Sequence, residues 1–230
     1  MKWRSLQESG AYSDVRSLRE IFAERKETIS KYVPADVQAV HERAIAVLKA
    51  QALAVGALGV GAQAPVFELS DHNGRRVLSS ELLGNGRLVI CFIRGRWCPF
   101  CIGQMEAMNY IAPQIAAAGA SIVAISPQTE KQAFFMRDQH KFSFPMLVDA
   151  RNDVARQFGL VYRTPDEQQA LYRSTFVNLP FVNGDSSWEL PIPAAYIVDR
   201  DGTILFAAAN EDYTERPEPL EILNFVARAA

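Results

Sequence analysis

The feature that most constrains this chain is an unbroken apolar run that leads into two closely spaced cysteines. Residues 88–93 read Leu-Val-Ile-Cys-Phe-Ile, and Cys98 and Cys101 follow in the motif Trp-Cys-Pro-Phe-Cys. A continuous apolar run of this length is typical of a central strand that is covered on both faces. Pro99 suits the first turn of a helix, because its missing N–H costs nothing there. The segment therefore predicts a buried strand that delivers a Cys-x-x-Cys pair to the start of a helix.

The start of a helix favours a reactive thiolate. Unpaired N–H groups and the positive end of the helix dipole stabilise negative charge there, which lowers a thiol pKa. Arg94 and Arg96 add positive charge beside the pair and could also bind a substrate carboxylate. The alternative is that both arginines face solvent or form structural ion pairs. We expect Cys98 to attack as the thiolate and Cys101 to resolve the product.

Two other interpretations of the cysteine pair need weighing. A structural zinc site requires four ligands, and the chain has three cysteines and three histidines, with the histidines far from the pair in sequence. Two incidental buried thiols are the second alternative. We expect no metal and no cofactor, because no flavin or nicotinamide motif is visible. The remaining cysteine, Cys91, is expected to be an inert buried thiol, and the histidines to be surface or capping residues.

Composition narrows the class of protein. A net charge of −2 leaves no basic footprint for nucleic acid or for an anionic membrane. The first residues lack an apolar signal core, and the longest uncharged apolar stretch, around 52–60, is too short to span a bilayer. Three cysteines do not form a secreted disulfide framework. We therefore predict a redox protein of the cytoplasm, with no nucleic-acid and no membrane partner.

The first 59 residues differ from the rest of the chain. Apolar residues recur there at helical spacing in two stretches, which are separated by Pro34 and followed by glycines at 56, 59 and 61. The apolar positions of the first stretch are Val15, Leu18, Phe22, Ile29 and Tyr32. We predict a helical extension over residues 1–59. Its apolar stripes must be buried, either against the following domain or in a dimer interface.

Strands and helices alternate over residues 60–230. We predict strands at 66–69, 76–78, 87–93, 121–126, 144–148, 195–198 and 203–208, and helices at 99–118, 130–140, 152–158 and 218–229. This order indicates an α/β domain with a mixed central sheet and helices on both faces. Beyond Val161 the chain is expected to lack regular structure until Pro191. The aromatic residues of this stretch, Tyr162, Tyr172, Phe176, Phe181 and Trp188, are expected to roof the sheet rather than line a site. The polar segment 212–216 is placed outside the site.

The order of these motifs resembles the peroxiredoxin-like (AhpC/TSA) branch of the thioredoxin superfamily. The resemblance rests on the segments Gly61–Leu69, Phe144–Asp149 and Ile192–Gly202, together with the strand–Cys-x-x-Cys–helix unit. It implies a thioredoxin-like fold and thiol-dependent redox chemistry. The motif Trp-Cys-Pro-Phe-Cys itself is similar to a thioredoxin or glutaredoxin redox centre. Pro193 matches the family's cis-proline, which implies a position against the cysteine pair and a part in substrate docking.

The chain departs from true peroxiredoxins at one informative position. Those proteins carry a threonine three residues before the attacking cysteine, where this chain has Gly95. The family's distal arginine has no obvious counterpart either. The sequence therefore favours a thiol–disulfide oxidoreductase that reduces disulfides. The alternatives are a thiol peroxidase that reduces hydrogen peroxide or organic hydroperoxides, and a redox-responsive binding module without turnover.

The same reasoning names the remaining site residues and partners. Arg94, Arg96, Trp97 and Pro193 are the predicted substrate-binding residues. Trp97 is expected mainly to shield the cysteine pair by packing. A thiol reductant of the thioredoxin or glutathione type is expected to reset the disulfide, and the extension leaves a homodimer as one option.

Overall fold

The part of the N-terminal extension that the structure describes is mainly helical. The computed structural model describes residues 16–175 and 177–228, so Val15, Phe176 and the first residues considered above lie outside the described residues. Helix α1 spans Leu18–Tyr32, α2 spans Ala35–Gln51 and a single turn, α3, spans Leu53–Gly56. Ser17 begins α1 through a reciprocal capping box with Glu20. The break between α1 and α2 falls before Pro34, where the helical conformation is disfavoured.

A seven-stranded mixed sheet forms the centre of the domain. Its strands are β1 (Glu68–Asp71), β2 (Arg76–Leu78), β3 (Arg87–Phe92), β4 (Ala120–Ser126), β5 (Met146–Val148), β8 (Ala194–Val198) and β9 (Ile204–Ala209). They lie in the order β2-β1-β5-β4-β3-β8-β9. Strand β3 pairs in parallel with β4 and antiparallel with β8. Two further strands, β6 (Val161–Arg163) and β7 (Glu189–Pro191), form a separate antiparallel pair.

Helices connect most of these strands. They are α4 (Ser79–Asn85), α5 (Pro99–Ala117), α6 (Glu130–His140), α7 (Asp153–Gln157), α8 (Asp166–Ser174), α9 (Leu179–Asn183) and α10 (Pro219–Arg228). The long helix α5 follows β3 and contains Pro113. Within residues 16–175 and 177–228, no helix is long and apolar enough to cross a bilayer.

The side chains of β3, and of Ile93 directly after it, alternate between two separate cores. Val89, Cys91 and Ile93 face one core, which α1, α5 and α10 cover; Leu88, Ile90 and Phe92 face the other, which contains residues of α2, α7 and α8. Helices therefore lie on both faces of the sheet, as predicted. Of the two predicted burial sites for the extension, the structure shows docking on the domain, where α1 packs on α5 and α2 on α8. A homodimer stays a prediction.

The stretch from beyond Val161 until Pro191 was expected to lack regular structure, and this expectation is wrong. It begins within β6, ends within β7 and contains the helices α8 and α9, of nine and five residues, between them. Elements of this length give too few repeats for an apolar period to be recognised. Phe181 was expected to roof the sheet, but it is 66% exposed.

Candidate active site

The cysteine pair occupies the start of α5. Cys98 is the N-cap residue and Cys101 lies in the first turn of the helix. Both are free thiols and both are buried, with 1% and 0% of the residue exposed. The backbone N–H of Arg94 points to the sulfur of Cys101 at 3.4 Å. The structure therefore brings both predicted catalytic residues together at a helix N-terminus.

Arg94 is buried beside the sulfur of Cys98. Its Nη1 lies 4.0 Å from Cys98 Sγ, and its Nη2 donates to the hydroxyl of Tyr172 at 2.9 Å. The guanidinium also lies 3.8 Å from the ring centre of Tyr213 and 4.7 Å from that of Trp97. No carboxylate in the described part of the chain forms an ion pair with it. A buried cation is costly without a counter-ion, so the Cys98 thiolate is the anion that this arrangement stabilises.

The two thiols titrate in opposite directions. Burial raises the pKa of Cys98, but a hydrogen bond from Cys101 and the charges of Arg94 and Arg216 outweigh it and lower the pKa to about 5. Burial and the neighbouring Cys98 hold the pKa of Cys101 well above its usual range. At neutral pH the pair thus contains one thiolate and one thiol. In this state the Cys98 thiolate can attack a substrate, and the Cys101 thiol can then resolve the product.

A second arginine comes from the segment that was left outside the site. Arg216 Nη2 lies 3.6 Å from Cys101 Sγ, and its Nε donates to Gln104 Oε1 at 2.8 Å. Tyr213, three residues earlier, packs its ring on Arg94. The expectation that residues 212–216 lie outside the site is therefore wrong. Arg216 is 115 residues from Cys101 in sequence, and no local pattern links the two.

Two of the predicted roofing aromatics instead form a wall of the site. Tyr172 packs edge-on against Trp97, with 5.3 Å between the ring centres, and its hydroxyl accepts from Arg94. Tyr162 is buried as well, and this burial raises its pKa although the nearby charge of Arg94 acts in the opposite direction. The burial of Tyr172 raises its pKa, so its hydroxyl stays protonated at neutral pH.

The side chains of Arg94 and Arg96, the two predicted substrate-binding arginines, make contacts in different places. The Arg96 guanidinium donates to Gln132 Oε1 at 3.2 Å, and its backbone N–H donates to Gln128 Oε1 at 3.0 Å. Arg94 turns inward to the sulfurs. The chain reverses between them at Gly95, which has a φ of 136°, so regular strand alternation does not apply. Of these two arginines, only Arg94 contacts the thiols.

The packing around Gly95 also explains why this position does not carry the threonine of true peroxiredoxins. A Cβ atom at this position would lie 2.9 Å from Nε1 and 3.2 Å from Cδ1 of Trp97. The positive φ further disfavours any side chain there. The indole of Trp97 therefore occupies the space that a threonine side chain would need.

Pro193 was expected to be a cis-proline, and this expectation is wrong. No cis peptide bond occurs within residues 16–175 and 177–228. The chain runs extended from β7 into β8 here, with Ile192 N–H bonded to Leu160 and the Pro193 carbonyl accepting from Asn210. Pro193 lines a cavity of about 330 Å³ whose wall includes Arg216. The cavity thus adjoins the arginine that contacts Cys101.

Two histidines depart from the expected surface positions. His72 is buried, and His41 lies in α2 with its Nδ1 3.0 Å from the hydroxyl of Tyr213. Burial and the charge of Arg94 lower the pKa of His41 to about 4. His41 is therefore neutral at physiological pH and bonds to an aromatic residue that packs on Arg94.

Comparison with known proteins identifies the family and several relatives of this chain. The profile of the AhpC/TSA family matches residues 60–207. A thiol-disulfide oxidoreductase, ResA, of Bacillus thuringiensis subsp. konkukian is 21% identical over 160 residues, covering 69% of this chain and 75% of that protein. A Mycobacterium tuberculosis protein that carries the name peroxiredoxin, Rv1608c, is 31% identical over 111 residues, covering 48% of this chain and 72% of its own length.

Solved structures show the same fold. Peroxidoxin BcpB from Mycobacterium tuberculosis superposes with a TM-score of 0.59 at 22% identity, covering 75% of this chain and 97% of that chain. Mycobacterium tuberculosis AhpC gives 0.56 at 18% identity, covering 75% and 93%. The thioredoxin-like α/β fold predicted from the sequence is confirmed.

Proposed function

The chain belongs to the AhpC/TSA family and is a thiol-dependent oxidoreductase, and we propose that it reduces disulfides with the pair Cys98 and Cys101. The Cys98 thiolate attacks one sulfur of the substrate disulfide, forming a mixed disulfide and releasing the other sulfur as a thiolate. Cys101 then loses its proton and attacks Cys98 Sγ. This closes the internal disulfide and releases the second substrate thiol. An external dithiol, or two monothiols, returns two electrons and two protons to the pair.

One observation carries this proposal. Arg94 is buried next to Cys98 Sγ with no carboxylate partner in residues 16–175 and 177–228. This arrangement favours a thiolate on the N-terminal cysteine and leaves Cys101, one turn further on, protonated. The difference in charge between the two sulfurs supports Cys98 as the attacking and Cys101 as the resolving cysteine.

Partners and location follow from the same chemistry. We propose a thioredoxin- or glutathione-like thiol as the electron donor and a reducing compartment, the cytoplasm, as the location. In such a compartment the donor pool keeps the pair reduced between turnovers. The substrate contacts assigned to Arg94, Arg96, Trp97 and Pro193 stay predictions.

Trapping the intermediate tests the assignment of roles. The variant Cys101→Ser, mixed with a small disulfide such as oxidised glutathione, is expected to accumulate a mixed disulfide on Cys98, detected by intact-mass and peptide mapping. Cys98→Ser is expected to form none, and Cys91→Ser is the control that behaves as wild type. A mixed disulfide found mainly on Cys101, or normal turnover of Cys101→Ser, contradicts the assignment.

Peroxide reduction is the second candidate, and the burial of the sulfurs favours it. With Cys98 only 1% exposed, a small oxidant reaches the thiolate with less rearrangement than a protein disulfide does. Peroxide would convert the thiolate to a sulfenic acid, and Cys101 would condense with it, releasing water. Gly95 argues against this use, because the hydroxyl that would polarise a peroxide is absent. A binding module without turnover is the third alternative, and steady-state reduction of either oxidant excludes it.

A further inference from the structure

Helix α1 reaches the cysteine pair from outside the family domain. It ends well before residue 60, where the family match begins. Arg25, in the middle of α1, is 1% exposed, and its guanidinium donates to the carbonyl of Pro99, the first residue of α5. The ring of Phe22 packs edge-on against Phe100, with 5.1 Å between the centres. The extension therefore contacts both residues that separate the two cysteines.

The fit between α1 and α5 is close. A Cβ atom on Gly103 would lie 2.7 Å from Arg25 Nη1 and 2.8 Å from the ring of Phe22. Glycine at this position of α5 allows α1 to approach. The N-terminal end of α1 is anchored too, since the Glu218 carboxylate accepts hydrogen bonds from the N–H groups of Leu18 and Arg19 at 2.9 Å each. This anchorage fixes Arg25 against the first turn of α5.

Arg25 is the third guanidinium around the pair, after Arg94 and Arg216. It forms no ion pair with a carboxylate in the described residues, and its charge acts on Cys98 and Glu106. Glu106 binds His140 at 2.9 Å and its side chain is 40% exposed. In the described residues, the other titratable groups that face the sulfurs or Arg94 include Cys101, His41, Tyr162, Tyr172 and Tyr213. All of these are neutral when Cys98 is ionised, so the positive charge around the pair is in excess.

We propose that Arg25 is a positioning residue of the redox centre, through which α1 holds the first turn of α5 and stabilises the thiolate form of Cys98. This inference rests on the proposed function, because it concerns the same dithiol. In the exchange of the reduced protein with oxidised glutathione, the products are the Cys98–Cys101 disulfide and two molecules of reduced glutathione. A charge that stabilises the thiolate stabilises the reduced side, so the extension makes the pair a stronger oxidant.

The variant Arg25→Gln tests the inference in the full-length chain. Thiolate absorbance against pH, taken as the difference from Cys98→Ser, is expected to show the apparent pKa of Cys98 raised by roughly one unit. The equilibrium constant for exchange with glutathione is expected to move about tenfold toward the disulfide, or about 30 mV in reduction potential. Both readouts are independent of any physiological substrate.

Three control variants separate charge from packing. Arg19→Gln removes an exposed cation from the same helix and is expected to change neither readout. Arg25→Lys keeps the charge and is expected to restore most of the wild-type pH profile. Phe22→Leu weakens the contact between α1 and α5 without removing charge, so its pKa is expected to stay near that of wild type. An equal shift in Phe22→Leu and Arg25→Gln overturns the inference.

Other outcomes are equally decisive. An unchanged pKa and an unchanged glutathione equilibrium in folded Arg25→Gln overturn the role of Arg25 while leaving the proposed function intact. If wild type fails to reduce disulfides but the pKa still shifts, the function fails and the electrostatic role of Arg25 stands. If Arg25→Gln does not fold, Glu106→Gln decides. Loss of this carboxylate leaves Arg25 less neutralised and is expected to lower the apparent pKa of Cys98, and an unchanged or raised pKa contradicts the inference.

Discussion

The Arg94 guanidinium lies 4.0 Å from the sulfur of Cys98 and forms no ion pair with a carboxylate in the described part of the chain. Its neighbours are instead a tyrosine hydroxyl and two aromatic rings. Such a cation is stable in the interior mainly while the thiolate is present. Closing the disulfide removes that charge, so the ionic contact favours the reduced protein. The electrostatics of the site and its redox equilibrium are therefore linked.

Replacing Arg94 removes the closest charge from the thiolate. In Arg94→Gln we expect the apparent pKa of Cys98 to rise by roughly 1–3 units, with a matching loss of rate toward small disulfides at neutral pH. Thiolate absorbance against pH measures the shift. Arg96→Gln is the control, because the guanidinium of Arg96 bonds to Gln132. A similar pKa shift in both variants would show that proximity to the sulfur is not the cause.

The lowered pKa makes the stability of the reduced protein depend on pH. The folded pKa of Cys98 is about 5, below the usual value of 9.0. An acid with a depressed folded pKa stabilises the fold above its unfolded pKa, and this contribution is lost as pH falls through the folded pKa. We expect the stability advantage of reduced wild type over Cys98→Ser to fall by roughly 1 kcal/mol per pH unit between these values. Urea unfolding at several pH values checks this. A difference that is constant with pH would contradict the ionised state of Cys98.

A side chain at position 95 has no room. We expect Gly95→Ala to lose roughly 1–3 kcal/mol of stability, because the φ of 136° is strained for alanine and the new Cβ meets Trp97. Gly95→Thr is expected to lose more and not to gain peroxidase activity. Thermal unfolding and a peroxide-consumption assay test both. Faster peroxide reduction by folded Gly95→Thr would contradict this, because it would show that the indole of Trp97 moves to make room for the threonine side chain.

The hydroxyl of Tyr172 supports Arg94 directly. Tyr172→Phe removes the acceptor for Nη2 and leaves a buried charged donor unpaired, at a cost of about 1–3 kcal/mol. Tyr196→Phe is the matched control, since the buried hydroxyl of Tyr196 has no hydrogen-bond partner among the described residues. Chemical unfolding of the two variants is expected to show a clear loss only for Tyr172→Phe. Equal losses would assign the effect to packing.

The elements that carry the pair could be predicted from the sequence for local reasons. The apolar run of β3 and the proline that follows Cys98 give both the strand and the helix start. The end of α1 and the start of α2 follow from Pro34. These signals depend on backbone geometry over a few residues, so they need no knowledge of tertiary contacts.

The groups that surround the sulfurs could not be predicted in the same way. Arg25, Tyr172 and Arg216 lie in three distant segments, and only the packed fold brings them to the residues around the cysteine pair. The sequence shows that Gly95 replaces a threonine, but not that Trp97 fills the space. Apolar period identifies the buried face of a helix without identifying what covers it, which is why the docking of α1 on α5 stayed open.

The most direct test of disulfide reduction by the pair is stopped-flow tryptophan fluorescence of the reduced protein. It is mixed in parallel with a small disulfide and with hydrogen peroxide, and Trp97→Phe identifies the signal that reports on the pair. We expect rapid closure of the Cys98–Cys101 disulfide with the disulfide substrate, and slow oxidation by peroxide. Peroxide oxidation far faster than that of a free thiolate, with slow disulfide exchange, would contradict this and identify a peroxidase.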